Sequence, residues 1–204
     1  DDLSRGLGDV YKRQFCWRTD TPIIYRAIPS WYVNVVKIKD QIIEKAKEIN
    51  WMNKEVKNSM IAWLENARDW SVSRNRLWGT PLLIWKSDNP LCPHMEVFGS
   101  IKELEDFFEV KVNDLHTDKV DNLTKVNPSD PTGKSKLVRV NDIFDCWFES
   151  GCMPFAQLHY PFENKEWFEK NFPADFITEY VGQTRGWFYT CLLYTSPSPR
   201  DRSS

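Results

Sequence analysis

The sequence predicts an α/β fold with a largely parallel sheet. Short apolar runs rich in β-branched and aromatic residues alternate along the chain with amphipathic helical patterns, the order that βαβ units produce. Two of these runs, at 137–148 and 173–178, lead into polar residues mixed with glycine and tryptophan. Ligands of open α/β sheets bind beyond the carboxyl ends of the strands. The two strand ends are therefore predicted to share one site.

The first third of the chain predicts two short strands followed by two helices. Prolines bound the runs at 23–25 and 31–33, which is typical of short strands. Apolar residues spaced along one side of 39–50 predict an amphipathic helix. Asn53 is a suitable N-cap for a second helix, with Met60 and Leu64 facing inward. Both helices are interpreted as scaffold.

The remaining elements follow from similar local signals. The run at 81–85 predicts a buried strand, and Ser100 with Glu103 forms a capping box for a helix that reaches Phe108. The polar stretch 113–138 predicts irregular structure, and 165–171 predicts a short helix. The strand at 173–178 then leads into the second half of the site.

Composition bounds the class of protein. The chain has 204 residues and a formal net charge of −2, so no general basic excess indicates nucleic-acid binding. Ten tryptophans favour a folded chain over a disordered one. No apolar run reaches the roughly 18 residues of a membrane span. The five cysteines are scattered and odd in number, which predicts reduced thiols in a cytosolic protein.

Two short motifs suggest ligand sites that their surroundings do not support. The run TGKS at 132–135 resembles the end of a phosphate loop, but Pro128 occupies the place of the required upstream glycine and no strand precedes it. Cys92 and His94 lack the further ligands that a zinc site needs. The sequence therefore predicts neither a phosphate loop nor a metal site in this segment.

Four residues are predicted to form one pocket. Trp147 and Trp187 would supply an apolar side, and Glu179 and Gln183 would supply hydrogen-bonding groups on the other. The alternative for both tryptophans is plain core packing, and the alternative for Glu179 is a solvated carboxylate.

A second cluster combines Arg74 and Arg76 with Trp78. Arginine suits phosphate and tryptophan suits base stacking, so the cluster could contact nucleic acid. The alternative is a surface turn in which the arginines form structural salt bridges.

Both ends of the chain resemble a translated sequencing adapter. Residues 4–14, SRGLGDVYKRQ, end in a translation of GTG TAT AAG AGA CAG, which closes a common transposon adapter. The reverse complement of the same adapter encodes CLLYTSPSPRD at 191–201. One DNA element thus accounts for both ends, so residues 1–14 and 191–204 are predicted to be adapter-encoded and are excluded from fold reasoning. Residues 15–190 would then be an insert cut from a longer gene.

Four residue runs, in this order and at similar spacing, resemble the isoleucyl-tRNA synthetase family of class I synthetases. The runs are IPSWYV at 28–33, ARDWSVSRNRLWGTP at 67–81, DCWFESG at 145–151 and QTRGWF at 183–188. The second is similar to runs in valyl- and leucyl-tRNA synthetases, whereas QTRGWF is more specific to the isoleucine enzymes. The resemblance covers essentially all of 15–190.

This resemblance implies the second half of a Rossmann-type catalytic domain, incomplete, at its junction with an inserted editing domain. Residues 15–70 would return from the editing insertion through a helical connector, and 71–190 would be part of the catalytic domain. The parent would activate isoleucine with ATP and Mg²⁺ and transfer it to tRNA(Ile). It is expected to be a monomeric cytoplasmic enzyme without a membrane segment.

The resemblance also implies roles for individual residues. Trp147 and Trp187 match tryptophans that wall the isoleucine pocket, and Glu179 and Gln183 match residues that hold the aminoacyl-adenylate. Gly182 stands where many members have aspartate, in EGxDQ, so its contact with the ammonium or ribose stays open, and Tyr180 is expected near the pocket.

The remaining roles stay open. Arg74, Arg76 and Trp78 are possible contacts for the tRNA acceptor end. The family's phosphate-binding HIGH and KMSKS motifs are absent, so no catalytic residue is assigned and the fragment is predicted to be inactive. The alternatives are a fragment of a valyl- or leucyl-type ligase, or a non-catalytic tRNA-binding module of the same fold.

Overall fold

The computed structural model describes residues 15–24 and 27–195. Its helices are α1 Val35–Glu48, α2 Lys54–Glu65, α3 Ile101–Phe108, α4 Thr117–Val120, α5 Cys146–Ala156, α6 Lys165–Asn171 and α7 Trp187–Thr195, with a 3-10 helix η1 at Val181–Arg185. Its strands are β1 Tyr32–Val33, β2 Trp70–Ser71, β3 Ser73–Arg74, β4 Ile84–Ser87, β5 Met95–Val97, β6 Lys125–Val126, β7 Lys136–Arg139 and β8 Ile143–Phe144. None of the helices in this part of the chain is long and apolar enough to cross a membrane.

Asparagine caps begin the first two helices. The Asn34 side chain accepts a hydrogen bond from the backbone N–H of Lys37, and Asn53 caps α2 in the same way. The helix predicted over 39–50 therefore starts earlier, at Val35. The apolar faces of the two helices pack together and against α7 in the first core cluster, whose buried members are Val35, Ile42, Ala46, Met60, Leu64, Ala67 and Leu193.

Every strand pair among the described residues is antiparallel, so the prediction of a largely parallel sheet is wrong for this part of the chain. Two two-stranded ladders pair β1 with β2 and β3 with β8. A four-stranded sheet has the order β5-β4-β7-β6. Alternation of strand and helix along a sequence does not fix the direction of pairing, because that depends on which strands become neighbours.

The four-stranded sheet packs against α3 in a second core cluster. Trp85 of β4 is fully buried and its indole Nε1 donates to the carbonyl of Leu123 over 2.7 Å. The helix α3 spans the predicted range. It begins after Ser100, whose hydroxyl accepts a hydrogen bond from the backbone N–H of Glu103. The buried members of this cluster are Trp85, Leu104, Val120 and Leu137.

The loop before β7 is held by its own side chains. The Asp130 carboxylate accepts hydrogen bonds from the backbone and hydroxyl groups of both Thr132 and Ser135. These hydrogen bonds, of which the one from the Ser135 hydroxyl has the largest effect, hold the pKa of Asp130 well below its usual range. A strand, β7, follows TGKS where a phosphate loop requires a helix. The sequence-based rejection of a phosphate loop is therefore confirmed.

Several predicted strands are absent, shortened or displaced. The strand expected at 137–148 is divided into β7 and β8, and Trp147 lies in the first turn of α5 instead. Residues 175–180 follow an exposed path outside any strand, so the strand predicted at 173–178 does not form among the described residues. Ile23 and Ile24 are exposed and outside any strand, and residue 25 lies outside the described part of the chain.

The substitution Trp85→Ala is expected to lower the free energy of unfolding by about 3–5 kcal/mol. It would remove a buried aromatic ring and leave the Leu123 carbonyl without its donor. Urea denaturation measures the loss. Trp167→Ala serves as the matched control, because that side chain is 57% exposed on α6. Equal losses in the two variants would contradict the assignment of Trp85 to the core.

Candidate functional site

Asp145 begins the helix that carries Trp147. Its carboxylate accepts from the backbone N–H of Trp147 over 2.7 Å and also forms an ion pair with the Arg74 guanidinium. Arg74 additionally donates to the carbonyls of Ser71 and Ser73, over 3.0 and 2.8 Å. The start of α5 is thus tied to β2 and β3.

In the segment between residues 180 and 187, the 3-10 helix η1 is followed almost directly by the α-helix α7. Gln183 Oε1 accepts from the backbone N–H of Trp187 over 2.9 Å, which satisfies one of the free donors at the start of α7. Thr184 is buried and its hydroxyl donates to the carbonyl of Val181 over 2.6 Å. Two of the polar side chains in this segment are therefore used inside it.

Gly186 brings the two predicted halves of the site together. A Cβ at this glycine would lie 3.2 and 3.3 Å from two ring carbons of Trp147, and 2.6 Å from Gln183 Oε1. A side chain at 186 would require the Trp147 ring to shift by a few tenths of an ångström and the Gln183 amide to move. The Trp147 indole therefore packs on the backbone of Gly186, beside Gln183.

Trp187, the residue after Gly186, is held to α5 by a hydrogen bond of its indole. Its indole Nε1 donates to the carbonyl of Ser150 over 3.1 Å. A second close approach follows, since a Cβ at Gly151 would lie 2.8 Å from the carbonyl oxygen of Thr190. Helices α5 and α7 thus cross with their backbones almost in contact. Both predicted tryptophans are anchored at this crossing, and Trp147 keeps 45% of its surface exposed.

Cys152, Tyr189 and Cys191 are half-buried near the crossing of α5 and α7. Burial raises the pKa of the Cys152 thiol and of the Tyr189 phenol. Burial, together with the neighbouring Cys152, raises the pKa of Cys191 to about 11.

Glu179 is exposed and Gly182 is half-buried at the start of the segment. The Glu179 carboxylate is exposed and forms no hydrogen bond or ion pair with another residue of the described chain. Gly182 lies directly under the phenol ring of Tyr180, whose Cε1 would be 2.7 Å from a Cβ at that glycine. Tyr180 thus lies over the backbone of Gly182, and its place near the pocket stays a prediction.

The arginine and tryptophan cluster is divided by the fold. Arg74 forms the structural ion pair with Asp145, as the alternative interpretation held. Arg76 is exposed, and Trp78 is 71% exposed and stacks on the His116 ring with a centroid distance of 5.1 Å. A contact of these residues with tRNA stays a prediction.

The described residues hold no group of three or more His, Cys, Asp or Glu side chains that could bind a metal ion. His94 is instead engaged in two hydrogen bonds, with Ser129 at Nδ1 and Glu96 at Nε2. It joins the loop before β7 to β5.

Sequence reasoning missed the roles of two residues that build the site. Asp145 carries a recognisable signal, since aspartate is a preferred N-cap, but the following run contains Gly151 and Pro154, which weaken a helical pattern. Gly186 carries no such signal, because its role depends on which atoms lie opposite it in space.

Comparison with known proteins places this arrangement in a family. Residues 9–198 match the family described as tRNA synthetases class I (I, L, M and V), and the chain belongs to that family. Among curated relatives, it is 61% identical to an isoleucine--tRNA ligase of Rickettsia canadensis (strain McKiel) over 188 residues. It is 62% identical over 188 residues to the corresponding protein of Wolbachia sp. subsp. Brugia malayi (strain TRS).

Each alignment covers 92% of this chain and 17% of the relative, so the chain spans about one sixth of the length of these relatives. The resemblance to isoleucyl-tRNA synthetases is confirmed. The matched range 9–198 extends past both predicted adapter boundaries, and the adapter origin of the ends stays a prediction.

Asp145→Ala is expected to lower the free energy of unfolding by about 2–4 kcal/mol. It removes an N-cap and the partner of Arg74; the cost of the broken pair is reduced because Arg74 is 39% exposed. Chemical denaturation of the two proteins measures the difference. Asp118→Ala is the matched control, since it removes an exposed pair with Lys119 and should cost less than about 1 kcal/mol. A loss no larger than that of the control would refute the anchoring role.

Proposed function

We propose that the complete protein is an isoleucine--tRNA ligase and that this chain contributes the wall of its amino-acid pocket. The reaction joins isoleucine to ATP as isoleucyl-adenylate and then transfers isoleucine to tRNA(Ile). The observation that carries the proposal is the packing of Trp147 on Gly186, inside the run QTRGWF and next to Trp187. Identity of about 60% to isoleucine--tRNA ligases supports it.

In this proposal Trp147 and Trp187 enclose the isoleucine side chain. Two fixed indoles offer a large apolar surface with little loss of conformational entropy on binding. Such a pocket separates ligands only by contact area, and one methylene is worth roughly 1–3 kcal/mol. Isoleucyl-tRNA synthetases are themselves the standard example of that limit, at about 150-fold for isoleucine over valine. An inserted editing domain in the parent fits this limit.

The polar side of the pocket is assigned to Glu179 and Gln183. The Glu179 carboxylate has no partner among the described residues and suits an ammonium or a ribose hydroxyl. The Gln183 carbonyl is engaged by the backbone of Trp187, so its amide nitrogen is the end left for a ligand oxygen. Gly182 contributes backbone only.

The Rossmann-type fold is proposed for the complete catalytic domain. Phe176 and Ile177 are 71% and 56% exposed in a segment that has the composition of a strand. Pairing with strands supplied by residues outside this chain would bury them and create the parallel sheet. Residues 71–190 are proposed as the catalytic part, and 15–70 as the return from the editing insertion.

The phosphate chemistry is assigned to other parts of the complete enzyme. Adenylate formation needs positioning and charge stabilisation at the α-phosphate, and ATP with Mg²⁺ enters as substrate. The HIGH and KMSKS motifs that perform this work in the family do not occur in the sequence. Contact of Arg76 and Trp78 with the tRNA acceptor end, a monomeric state and a cytoplasmic location belong to the same proposal.

The 204-residue chain is expected to show no isoleucine-dependent ATP–pyrophosphate exchange. It would supply one wall of the amino-acid pocket without the groups that hold the triphosphate. The assay is run beside a complete isoleucine--tRNA ligase as the positive control. Exchange above background that requires isoleucine would contradict the expectation.

In the complete enzyme, Trp187→Ala is expected to raise the KM for isoleucine by about 30-fold, from the loss of roughly 2 kcal/mol of contact. The KM for ATP should change less than about threefold, because the indole would not touch the nucleotide. Pyrophosphate exchange with each substrate varied in turn gives both constants. Trp167→Ala on α6 should leave both unchanged, and equal increases for the two substrates in Trp187→Ala would sink the pocket assignment.

A further inference from the structure

Tyr180 lies where the side chain of residue 182 would otherwise be. A Cβ at Gly182 would lie 2.7 Å from Cε1 of Tyr180 and closer still to its Cζ and Oη. The outer end of the phenol ring therefore rests on the Cα of Gly182. Any residue other than glycine at 182 requires the ring to leave.

The polar groups at the rim of the site divide into two classes. Gln183 Oε1 and the Thr184 hydroxyl are engaged inside the segment. The Glu179 carboxylate and the Tyr180 hydroxyl form no hydrogen bond with another described residue. Tyr180 is also 72% exposed.

The Tyr180 ring lies over the backbone of Gly182. Tyr180 precedes η1 in an extended backbone conformation, with φ −69° and ψ 153°. Its hydroxyl oxygen is the atom nearest to the place that a Cβ at Gly182 would take, so the hydroxyl itself occupies the volume of a side chain at 182. The result is a polar group in that volume with no hydrogen-bond partner among the described residues.

We propose that Tyr180 is a ligand-binding residue of the pocket. Its hydroxyl forms a hydrogen bond with a polar hydrogen of the aminoacyl-adenylate, in the volume that a side chain at 182 would occupy. The polar hydrogen belongs either to the ammonium of the amino acid or to a ribose hydroxyl. The inference rests on the proposed function, because it assigns a contact within the same pocket.

The test uses the complete enzyme and the variant Tyr180→Phe, which removes only the hydroxyl. Loss of one hydrogen bond to a ligand predicts an increase of about five- to tenfold in one Michaelis constant in ATP–pyrophosphate exchange. An increase for isoleucine identifies the ammonium as the partner, and an increase for ATP identifies the ribose. Tyr32→Phe is the matched control, since Tyr32 is exposed on β1.

Four further variants test the shared volume. Gly182→Ala should displace the ring and give an increase similar to that of Tyr180→Phe, with no additional effect when the two are combined. Tyr180→Gly alone should show the same loss. Tyr180→Gly with Gly182→Asn returns a polar side chain to the volume and should recover at least half of it.

The outcomes separate the inference from the proposed function. Wild-type enzyme without isoleucine-dependent exchange overturns both. Normal wild-type exchange, with Tyr180→Phe within twofold of Tyr32→Phe for both substrates, overturns only the assignment of Tyr180. Additive losses in the Gly182→Ala and Tyr180→Phe double variant would also overturn it, because the two changes would then act at separate places.

Discussion

The paired carboxylate of Asp145 is the interaction on which the rest of the site depends. One side chain caps α5 at Trp147 and binds Arg74, while the backbone N–H of Asp145 donates to the carbonyl of Val72 over 2.8 Å. Asp145 is only 5% exposed, so its charge needs these partners. The orientation of α5, and with it the position of one tryptophan, is therefore set by β2 and β3 rather than by the helix itself.

Two glycines allow α7 to pack directly against α5, so the orientation of α5 also determines the position of α7. Because Gly151 lies against the Thr190 carbonyl and Gly186 lies under Trp147, the two helices meet at backbone distance. Close packing of this kind leaves few alternative arrangements, since a core transmits strain rather than absorbing it. The positions of Trp147 and Trp187 are thus tied to the crossing of α5 and α7.

Local signals predicted helices α1, α2, α3 and α6, whereas α5 forms where a strand was expected and distant contacts decided the strand pairing. Asn53 and Ser100 mark the starts of α2 and α3 because their caps bond to residues two or three positions away. Strand direction could not be predicted, since pairing joins residues such as Arg74 and Ile143 that are far apart in sequence. For the site, residue type alone selected the tryptophans, whereas the place of Tyr180 over Gly182 depends on a side-chain direction that no sequence pattern encodes.

The shared space of Tyr180 and Gly182 couples the two positions energetically. A side chain at 182 would meet the outer end of the Tyr180 ring, so the ring must rotate away before that volume can be filled. The free-energy effects of substitutions at 180 and 182 are therefore expected to be non-additive.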